Sequence, residues 1–177
     1  MKIIFIRHGE SEGNVFHQIN DDPARPVALT ERGRQQAQEA AAALRAIPFT
    51  HACVSQFLRA QQTAQIILQG RECTLDIDAR INERRSGMDG RHVDDFNDFV
   101  REDLLHAKPP GGESFVEQME RLQSFMQEIA ARHANGIVLA VSHENPIVAA
   151  LAVHSGEPET TVRRKLKNCE WVELEIT

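Results

Sequence analysis

Five short stretches of the chain have the hydrophobic pattern of β-strands. Residues 2–6 and 137–141 are almost continuous apolar runs, which is typical of strands buried on both faces. Residues 51–55 form a shorter run, and residues 74–77 have the composition of an edge strand. Within residues 168–176 polar and apolar side chains alternate, which predicts an edge strand with one solvent-facing side.

Between the strands, apolar positions recur at helical spacing. The periodicity predicts four helices, over residues 30–46, 56–69 and 115–133 and from Pro146 onward. Ser114 and Glu117 have the spacing of a capping box at the start of the third helix. A weaker helical pattern lies near residues 93–105, inside a stretch rich in glycine, proline, arginine and aspartate.

The alternation of strands and helices predicts the fold class. It indicates an α/β protein, a three-layer α/β/α sandwich with a mostly parallel central sheet. We expect a single domain over residues 1–177, with a lid-like insertion at about residues 80–113. Ligands of such sheets bind beyond the carboxyl ends of the strands, so the residues that follow each strand are the candidates for function.

Composition and charge narrow the class of function. Of the 177 residues, 41% are hydrophobic and 26% are charged, and no run reaches the roughly 18 apolar residues of a membrane span. We therefore expect no membrane association. The first residues lack the apolar core and cleavage site of a secretory signal, so a cytoplasmic location is expected. The formal net charge of −6 disfavours a nucleic-acid partner.

Four side chains suited to phosphate chemistry follow predicted strands. Arg7 and His8 come directly after the first strand, Arg59 follows the second by four residues, and His143 follows the fourth. A phosphoryl group requires positive donors for its oxygens, an in-line nucleophile and a proton for the leaving oxygen. Arg7, Arg59 and His143 provide donors, while His8, kept neutral by the nearby arginine charges, is the candidate nucleophile.

Several motifs occur in one order along almost the whole chain. The most specific are Arg7-His8-Gly9-Glu10-Ser11 with Asn14, and Val141-Ser142-His143. The others are Leu29-Thr30 with Gly33 and Gln36-Ala37, Ser55 with Leu58-Arg59-Ala60 and Gln62-Thr63-Ala64, Ile81-Asn82-Glu83 with Gly87 and Asp89-Gly90, and Pro110-Gly111-Gly112-Glu113-Ser114. Together they resemble the histidine phosphatase superfamily, the phosphoglycerate mutase-like proteins.

The resemblance implies metal-independent hydrolysis of a small phosphate monoester through a phosphohistidine intermediate on His8, without a cofactor. It implies Glu83 as the acid and base of the reaction. It also implies the residues of the phosphate pocket, which are Arg7, Arg59, His143 and Asn14. The main-chain amide of Glu144 and the side chain of Arg84 are further candidates for binding the phosphate or an anionic part of the substrate.

Two dipeptides depart from the family's usual pattern. Gln56-Phe57 stands where the family commonly has Pro-Leu, and Glu144-Asn145 stands where it commonly has two glycines. A carboxylate beside a phosphate pocket repels the phosphate unless its side chain turns toward a partner. We therefore expect slower turnover or altered specificity, with every catalytic group retained.

The alternatives differ in what happens to the phosphoryl group. A phosphoglycerate mutase would return it to substrate, although mutases of the family generally carry longer insertions near the acid-bearing segment. A protein-phosphohistidine phosphatase would be expected to lack the insertion and its carboxylate, and a non-catalytic binding module would be expected to lose a pocket residue. A homodimer through residues 168–176 is allowed. The sequence does not name the substrate.

A cysteine-based mechanism is a further alternative. Cys53 and Arg59 have the Cys-x5-Arg spacing of cysteine-dependent phosphatases. Their phosphate-binding loop requires small, flexible residues, and no glycine lies between these two positions. We therefore expect Cys53 to be a buried strand residue. The remaining histidines have no paired metal-ligand spacing, so no metal site is expected.

Overall fold

A five-stranded sheet forms the centre of the protein. The computed structural model describes residues 1–176, and its strands are β1 (Lys2–Arg7), β2 (His51–Val54), β3 (Thr74–Ile77), β4 (Ile137–Ser142) and β5 (Trp171–Glu175). Their order across the sheet is β3-β2-β4-β1-β5. The first four are parallel, and β5 runs antiparallel to β1. The predicted mostly parallel sheet, with β3 and β5 at its edges, is confirmed.

Helices cover both faces of this sheet. Within residues 1–176 they are α1 (Glu12–Val15), α2 (Glu31–Ala43), α3 (Leu58–Leu68), α4 (Val93–Val100), α5 (Phe115–Arg132), α6 (Glu144–Ser155) and α7 (Pro158–Thr161). Helices α2 and α3 pack on one face, and α5 and α6 pack on the other. The three-layer α/β/α sandwich is therefore confirmed. No helix of residues 1–176 has both the length and the apolar character needed to cross a bilayer.

Strand β1 contributes to two separate hydrophobic cores. Ile3 and Phe5 pack in the core with α5 and α6, whereas Ile4 and Ile6 pack in the core with α2 and α3. All four side chains are completely buried. A strand covered on both faces must be apolar at successive positions, which explains the continuous hydrophobic run. Each such burial stabilises the fold by roughly 1.5–3 kcal/mol.

Several helix boundaries differ from the prediction. Helix α6 begins at Glu144, so the expectation that it begins at Pro146 is wrong. Proline is tolerated there because the amides of a first helical turn have no intrahelical acceptor. Helix α2 ends at Ala43, before the predicted residue 46, and α4 ends at Val100, before residue 105. Periodicity does not show the four-residue helices α1 and α7, which are barely one turn long.

A distant arginine binds the carbonyls that follow α2. The guanidinium of Arg71 donates to the main-chain carbonyls of Leu44, at 2.6 Å, and Ile47, at 3.0 Å. Carbonyls at a helix end lack intrahelical donors, and this distant arginine supplies them. By contrast, the capping box of Ser114 and Glu117 at the start of α5 is present as predicted.

A buried ion pair anchors the 80–113 segment to α5. Glu113 is 1% exposed, and its two carboxylate oxygens accept from Arg121 Nη2 at 2.7 Å and Arg121 Nε at 3.1 Å. The same guanidinium donates to the main-chain oxygen of Glu83 at 3.3 Å. Glu113 also accepts from the main-chain N–H of Arg85 at 3.0 Å. The pair therefore fixes the loop on which Glu83 lies.

We predict that Glu113→Gln lowers the free energy of unfolding by about 2–3 kcal/mol, because it leaves the Arg121 charge partly buried without its counter-ion. Chemical denaturation monitored by circular dichroism measures the change. Asp98→Asn is the matched control, because the Asp98–Arg101 pair is exposed and its loss should cost less than about 0.5 kcal/mol. Equal effects of the two substitutions would contradict the anchoring role of Glu113.

Candidate active site

The pairing of β1 with β4 brings the two strand-terminal histidines together. Arg7 lies directly opposite Ser142 in this parallel pair, so His8 and His143 leave the sheet at the same level. Their ring centroids are 5.1 Å apart in an edge-to-face arrangement. Both side chains are buried. The carboxyl edge of the sheet therefore holds both imidazoles.

His8 has the protonation state of a nucleophile. Its Nδ1 lies 2.6 Å from the main-chain oxygen of Gly9, so Nδ1 carries the proton and Nε2 carries the lone pair. Arg59 Nε donates to this Nε2 at 3.1 Å. Burial first, and then the charges of Arg59 and Arg7, hold the pKa of His8 well below its usual 6.5. The imidazole is therefore neutral, and its Nε2 is unprotonated.

Close packing of the turn after β1 fixes the position of His8. A Cβ atom at Gly9 would lie 2.3 Å from the main-chain oxygen of Gly33 in α2, so only glycine fits. The Gly9 N–H donates to Thr63 Oγ1 at 3.1 Å, and that hydroxyl donates to the main-chain oxygen of Arg59 at 2.8 Å. The turn carrying the nucleophile is thus tied to the helix carrying Arg59.

Arg59 is a buried cation at the start of α3. Its Nη1 and Nη2 donate to the side-chain and main-chain oxygens of Asn20, the second at 3.1 Å. Its guanidinium carbon lies 4.5 Å from the ring centroid of Phe57. Burial lowers the pKa of Arg59 to about 10, which still leaves it charged at neutral pH. Within residues 1–176 no carboxylate forms an ion pair with Arg59, so its charge is available to an anion.

His143 lies at the floor of the site, behind His8 and Glu83. Its Nε2 lies 2.8 Å from Ser55 Oγ. His143 Nδ1 has no hydrogen-bond partner within residues 1–176 and lies 3.9 Å from Glu83 Oε2. Burial and the Arg59 charge hold the pKa of His143 well below 6.5. His143 is therefore a neutral, fully buried imidazole beside the cavity, with Nδ1 on the side of Glu83.

Glu83 faces the two histidines from the 80–113 segment. Its Oε1 accepts from the main-chain N–H of Arg84 at 2.8 Å and from Asn145 Nδ2 at 3.2 Å. Both donors go to one oxygen, which leaves Oε2 to carry a proton. Burial raises the pKa of Glu83, and the Arg59 charge opposes this only in part. A carboxyl group in this environment can act as an acid and then as a base.

The side chain of Glu144 turns toward Arg7. Its Oε2 accepts from Arg7 Nη1 at 2.7 Å, and its Oε1 lies 3.4 Å from Lys165 Nζ. Arg7 Nη1 also donates to the main-chain oxygen of Leu166, so this nitrogen is fully used. Arg7 Nε is buried without a partner within the described residues. The sequence predicts that the Glu144 carboxylate needs a partner, and its partner is Arg7, an arginine of the predicted phosphate pocket.

The main-chain amide of Glu144 occupies the first position of α6. Amides of a first helical turn have no intrahelical acceptor, and the positive end of the helix dipole lies there. An anion at this helix end is therefore stabilised. Its contact with phosphate stays a prediction.

Asn14 is oriented by its neighbours. Its side-chain oxygen accepts from the main-chain N–H of Ser11 at 3.0 Å and from Asn168 Nδ2 at 3.3 Å. Asn168 Nδ2 also lies 3.1 Å from the main-chain oxygen of His8. With its oxygen occupied, Asn14 presents its NH₂ group to the cavity.

A cavity of about 420 Å³ lies at this edge of the sheet. Its lining includes the site residues Arg7, His8, Asn14, Arg59 and Glu83. The loop after α1 and the 80–113 segment also line it, with His17, Gln18, Ile19, Val93, Phe96 and Asn97. The 80–113 segment therefore forms part of the cavity into which the candidate catalytic groups face.

Arg84 also lies on the cavity wall, but its guanidinium is engaged elsewhere. It donates to the main-chain oxygens of Glu113, at 3.3 Å, and Ala107, at 3.4 Å, and lies 4.9 Å from the ring centroid of Phe96. Burial lowers its pKa to about 10. The structure thus places Arg84 as a support of the wall rather than among the groups around His8.

Cys53 lies away from this cavity. It is buried on β2 in the core with α5 and α6, and burial raises the pKa of its thiol to about 12. A thiol that stays protonated is a poor nucleophile, so the cysteine mechanism has no structural support. Within residues 1–176 no group of three or more His, Cys, Asp or Glu side chains is arranged to hold a metal ion.

Three residues of the site were not predicted from the sequence. Asn20 holds the guanidinium of Arg59, Lys165 pairs with Glu144, and Asn168 contacts the backbone of His8. All three lie in irregular segments, where no periodic pattern marks a position. Phe57 was visible as a departure from the family pattern, and the structure shows that it packs against Arg59 and lies 4.9 Å from the His143 ring.

Comparison with known proteins agrees with this geometry. The chain is 31% identical to the probable phosphoglycerate mutase GpmB of Cronobacter sakazakii over 96% of this chain and 82% of that protein. The alpha-ribazole phosphatase structure from Shigella flexneri superposes with a TM-score of 0.88 and 27% identity, over 100% of this chain and 91% of that one. Bacillus stearothermophilus YhfR shares the fold, with a TM-score of 0.89 and 24% identity over 99% and 91%. Residues 3–177 match the family model of the histidine phosphatase superfamily (branch 1), and the chain belongs to that superfamily.

Proposed function

We propose that this protein hydrolyses a small phosphate monoester through a covalent phosphohistidine on His8, without a metal ion. The observation that carries the proposal is the contact between His8 Nε2, unprotonated and buried, and Arg59, a buried cation with no ion-pair partner within residues 1–176. An anion that accepts from Arg59 lies next to the nucleophilic nitrogen. The similarity to an alpha-ribazole phosphatase supports a hydrolase.

In the first step the lone pair of His8 Nε2 attacks phosphorus while the bond from phosphorus to the leaving oxygen breaks. Glu83 Oε2 gives its proton to that oxygen, so the alcohol departs neutral. In this proposal the phosphoryl oxygens accept from Arg7, Arg59, His143, Asn14 and the Glu144 amide. Such preorganised donors stabilise the charge that spreads over the transferring group.

In the second step Glu83, now a carboxylate, takes a proton from water as the water oxygen attacks phosphorus. The bond between phosphorus and Nε2 breaks, and its electron pair returns to His8. The products are inorganic phosphate and the starting form of the enzyme, with Glu83 protonated again. The Nδ1–H bond to the Gly9 oxygen keeps the imidazole in one tautomer through both steps.

A phosphoglycerate mutase is the second candidate, and the similarity to a protein named as one favours it. A mutase would return the phosphoryl group to another hydroxyl of the substrate, with little phosphate released. Chromatography of the products formed from 3-phosphoglycerate separates isomerisation from hydrolysis. A protein-phosphohistidine phosphatase would require a site open to a large partner, whereas the 80–113 segment walls the cavity. A non-catalytic module would show no turnover.

We predict that His8→Ala reduces kcat/KM for p-nitrophenyl phosphate by at least about 10³-fold in the presence of a chelator, since no other group can form the intermediate. Cys53→Ala should keep the activity of the wild type within about twofold, because that thiol lies in the core. The wild type should also form an acid-labile, alkali-stable phosphoenzyme. Activity that survives His8→Ala, or that chelator abolishes, would refute the mechanism.

The pH dependence of kcat/KM is expected to have two limbs. His8 must be neutral, and its pKa lies below 6.5, so activity falls only at pH values below that. Glu83 must be protonated, and its pKa is raised above 4.5, so activity falls as the pH rises through that pKa. Glu83→Gln should abolish the alkaline limb, and should reduce turnover of an alkyl phosphate more than that of p-nitrophenyl phosphate, whose leaving group needs less protonation. An unchanged alkaline limb would exclude Glu83 as the acid.

Asn145 should set the position of that alkaline limb. Its amide donates to Glu83 and stabilises the carboxylate, so Asn145→Ala should raise the pKa of Glu83 and move the limb to higher pH. The isosteric Asn145→Asp replaces the donor by a like charge and should move it further. The pH profile of kcat/KM checks both variants. A shift to lower pH in either would show that Asn145 does not act through Glu83.

A further inference from the structure

The Arg59 guanidinium is held by Asn20, a residue outside the reacting groups. Arg59 Nη1 donates to the side-chain oxygen of Asn20, and Arg59 Nη2 donates to its main-chain oxygen at 3.1 Å. Each of these nitrogens has a second N–H, which is left for a phosphate oxygen. Asn20 is 7% exposed and carries no charge. It therefore orients Arg59 without neutralising it.

The Asn20 side chain is itself fixed in one orientation. Its Nδ2 donates to the main-chain oxygens of Asp22 and Arg25, both at 3.2 Å. A guanidinium only donates and a carbonyl only accepts, so the amide cannot flip without losing its bonds to all three residues. The loop of residues 20–25 therefore determines where the Asn20 oxygen lies, and with it the guanidinium of Arg59.

An ion pair joins this loop to the 80–113 segment. Arg25 Nε donates to Asp89 Oδ2 at 2.6 Å, and Arg25 Nη2 donates to Asp89 Oδ1 at 2.9 Å. Asp89 Oδ1 also accepts from the main-chain N–H groups of Asp21, at 2.8 Å, and Asp22, at 3.3 Å. A two-point bond between arginine and a carboxylate fixes orientation as well as distance. The Asp89 carboxylate therefore binds the loop at both of its ends.

A second carboxylate makes the connection in the opposite direction. Asp21 Oδ2 accepts from the main-chain N–H of Ser86, from Ser86 Oγ at 2.7 Å and from the Gly87 N–H at 3.2 Å. Ser86 lies three residues after Glu83, the proposed acid. The loop that holds Arg59 is thus bound to the segment that carries the acid.

The position of Arg59 affects both His8 and a bound phosphate. Arg59 Nε lies 3.1 Å from His8 Nε2. After burial, the charge of Arg59 is the largest cause that holds the pKa of His8 well below its usual 6.5. Removal of Arg59 from this position would therefore raise the pKa of His8 and weaken phosphate binding.

We infer that Asn20 is the positioning residue of Arg59 and that the Arg25–Asp89 pair acts through Asn20, so that docking of the 80–113 segment sets the arginine that binds phosphate. This inference rests on the proposed function, because it takes Arg59 as a phosphate donor. The neutrality of Asn20 is part of the role. A carboxylate at this position would pair with Arg59 and compete with the phosphate.

The substitutions Asn20→Ala and Asn20→Asp test the positioning role. The dissociation constant of inorganic phosphate, measured by calorimetry, reports on the Arg59 site without turnover. We expect Asn20→Ala to weaken binding about tenfold, because Arg59 loses an acceptor, and Asn20→Asp to weaken it about a hundredfold, because the carboxylate neutralises Arg59 and repels phosphate. If Asn20 only packs the loop, both variants that fold should bind phosphate as the wild type does.

The Arg25–Asp89 pair is tested by the double variant Arg25→Met with Asp89→Leu. It keeps the net charge, and the two side chains are 38% and 28% exposed, so the core stays closed. We expect about tenfold weaker phosphate binding and an acid limb of kcat/KM at higher pH, because a displaced Arg59 lowers the pKa of His8 less. Since Glu83 keeps its separate anchor to α5, kcat/KM should fall equally for p-nitrophenyl phosphate and for an alkyl phosphate.

The matched control is Arg91→Met with Asp95→Leu, which removes an exposed ion pair of the same segment whose side chains do not bind the loop. Its phosphate affinity should stay within about twofold of the wild type. Arg25→Lys keeps the charge but can make only one of the two bonds to Asp89, so it should weaken binding about threefold. It provides the test if the double variant does not fold.

Wild-type phosphate affinity in both Asn20 variants, or in the Arg25 variants, would overturn the inference. So would an equal loss in the control, or a wild type that does not bind phosphate. Because the dissociation constants do not require turnover, the expected losses in a protein that hydrolyses no ester would refute the proposed function alone. Hydrolysis through His8, with phosphate affinity unaffected by these substitutions, would refute the inference alone.

Discussion

The parallel pairing of β1 with β4 is the constraint on which the site depends. Both strands are buried on both faces, and Arg7 is paired with Ser142 at their carboxyl ends. A slip of one residue would turn every side chain of a strand to the opposite face, so the two hydrophobic cores enforce the register. That register places His8 and His143 within 5.1 Å of each other. The positions of the two histidines therefore depend on the packing of both hydrophobic cores, which are much larger than the site.

The same burial controls the charges of the site. It lowers the pKa of both imidazoles and raises that of Glu83, which favours neutral histidines beside a protonated carboxyl group. The two arginines of the site, Arg7 and Arg59, differ in their counter-ions. Arg7 has the counter-ion Glu144, whereas Arg59 is held by the neutral Asn20 and by His8. A desolvated cation without a counter-ion is stabilised by an anion, which makes Arg59 the stronger attraction for phosphate.

Features of the fold and the site that neighbouring residues determine could be predicted from the sequence, whereas features that depend on tertiary contacts could not. The strands and helix α5, with its Ser114 capping box, follow from periodicity, because adjacent residues determine them. The placement of His8 and His143 follows from strand ends, a rule of topology. The contact of Arg71 with the Leu44 carbonyl after α2 could not be predicted in this way, because Arg71 lies far along the chain. The role of Asn20 could not be predicted from periodicity either, since this loop residue contacts Arg59 only in the folded protein.

Glu144 shows how a departure from a family pattern acquires a meaning only in three dimensions. The sequence alone indicates that a carboxylate beside the phosphate pocket repels the phosphate. In the structure Arg7 Nη1 donates to this carboxylate and to the Leu166 carbonyl, and these two bonds hold the guanidinium in place. The other guanidinium nitrogens of Arg7 are left to bind an anion. The carboxylate costs electrostatic attraction for phosphate, but the α6 dipole and Arg59 oppose that cost. Because the strand ends supply the reacting groups while Glu144 and the 80–113 segment supply the wall, substrate preference can change without a change in the chemistry.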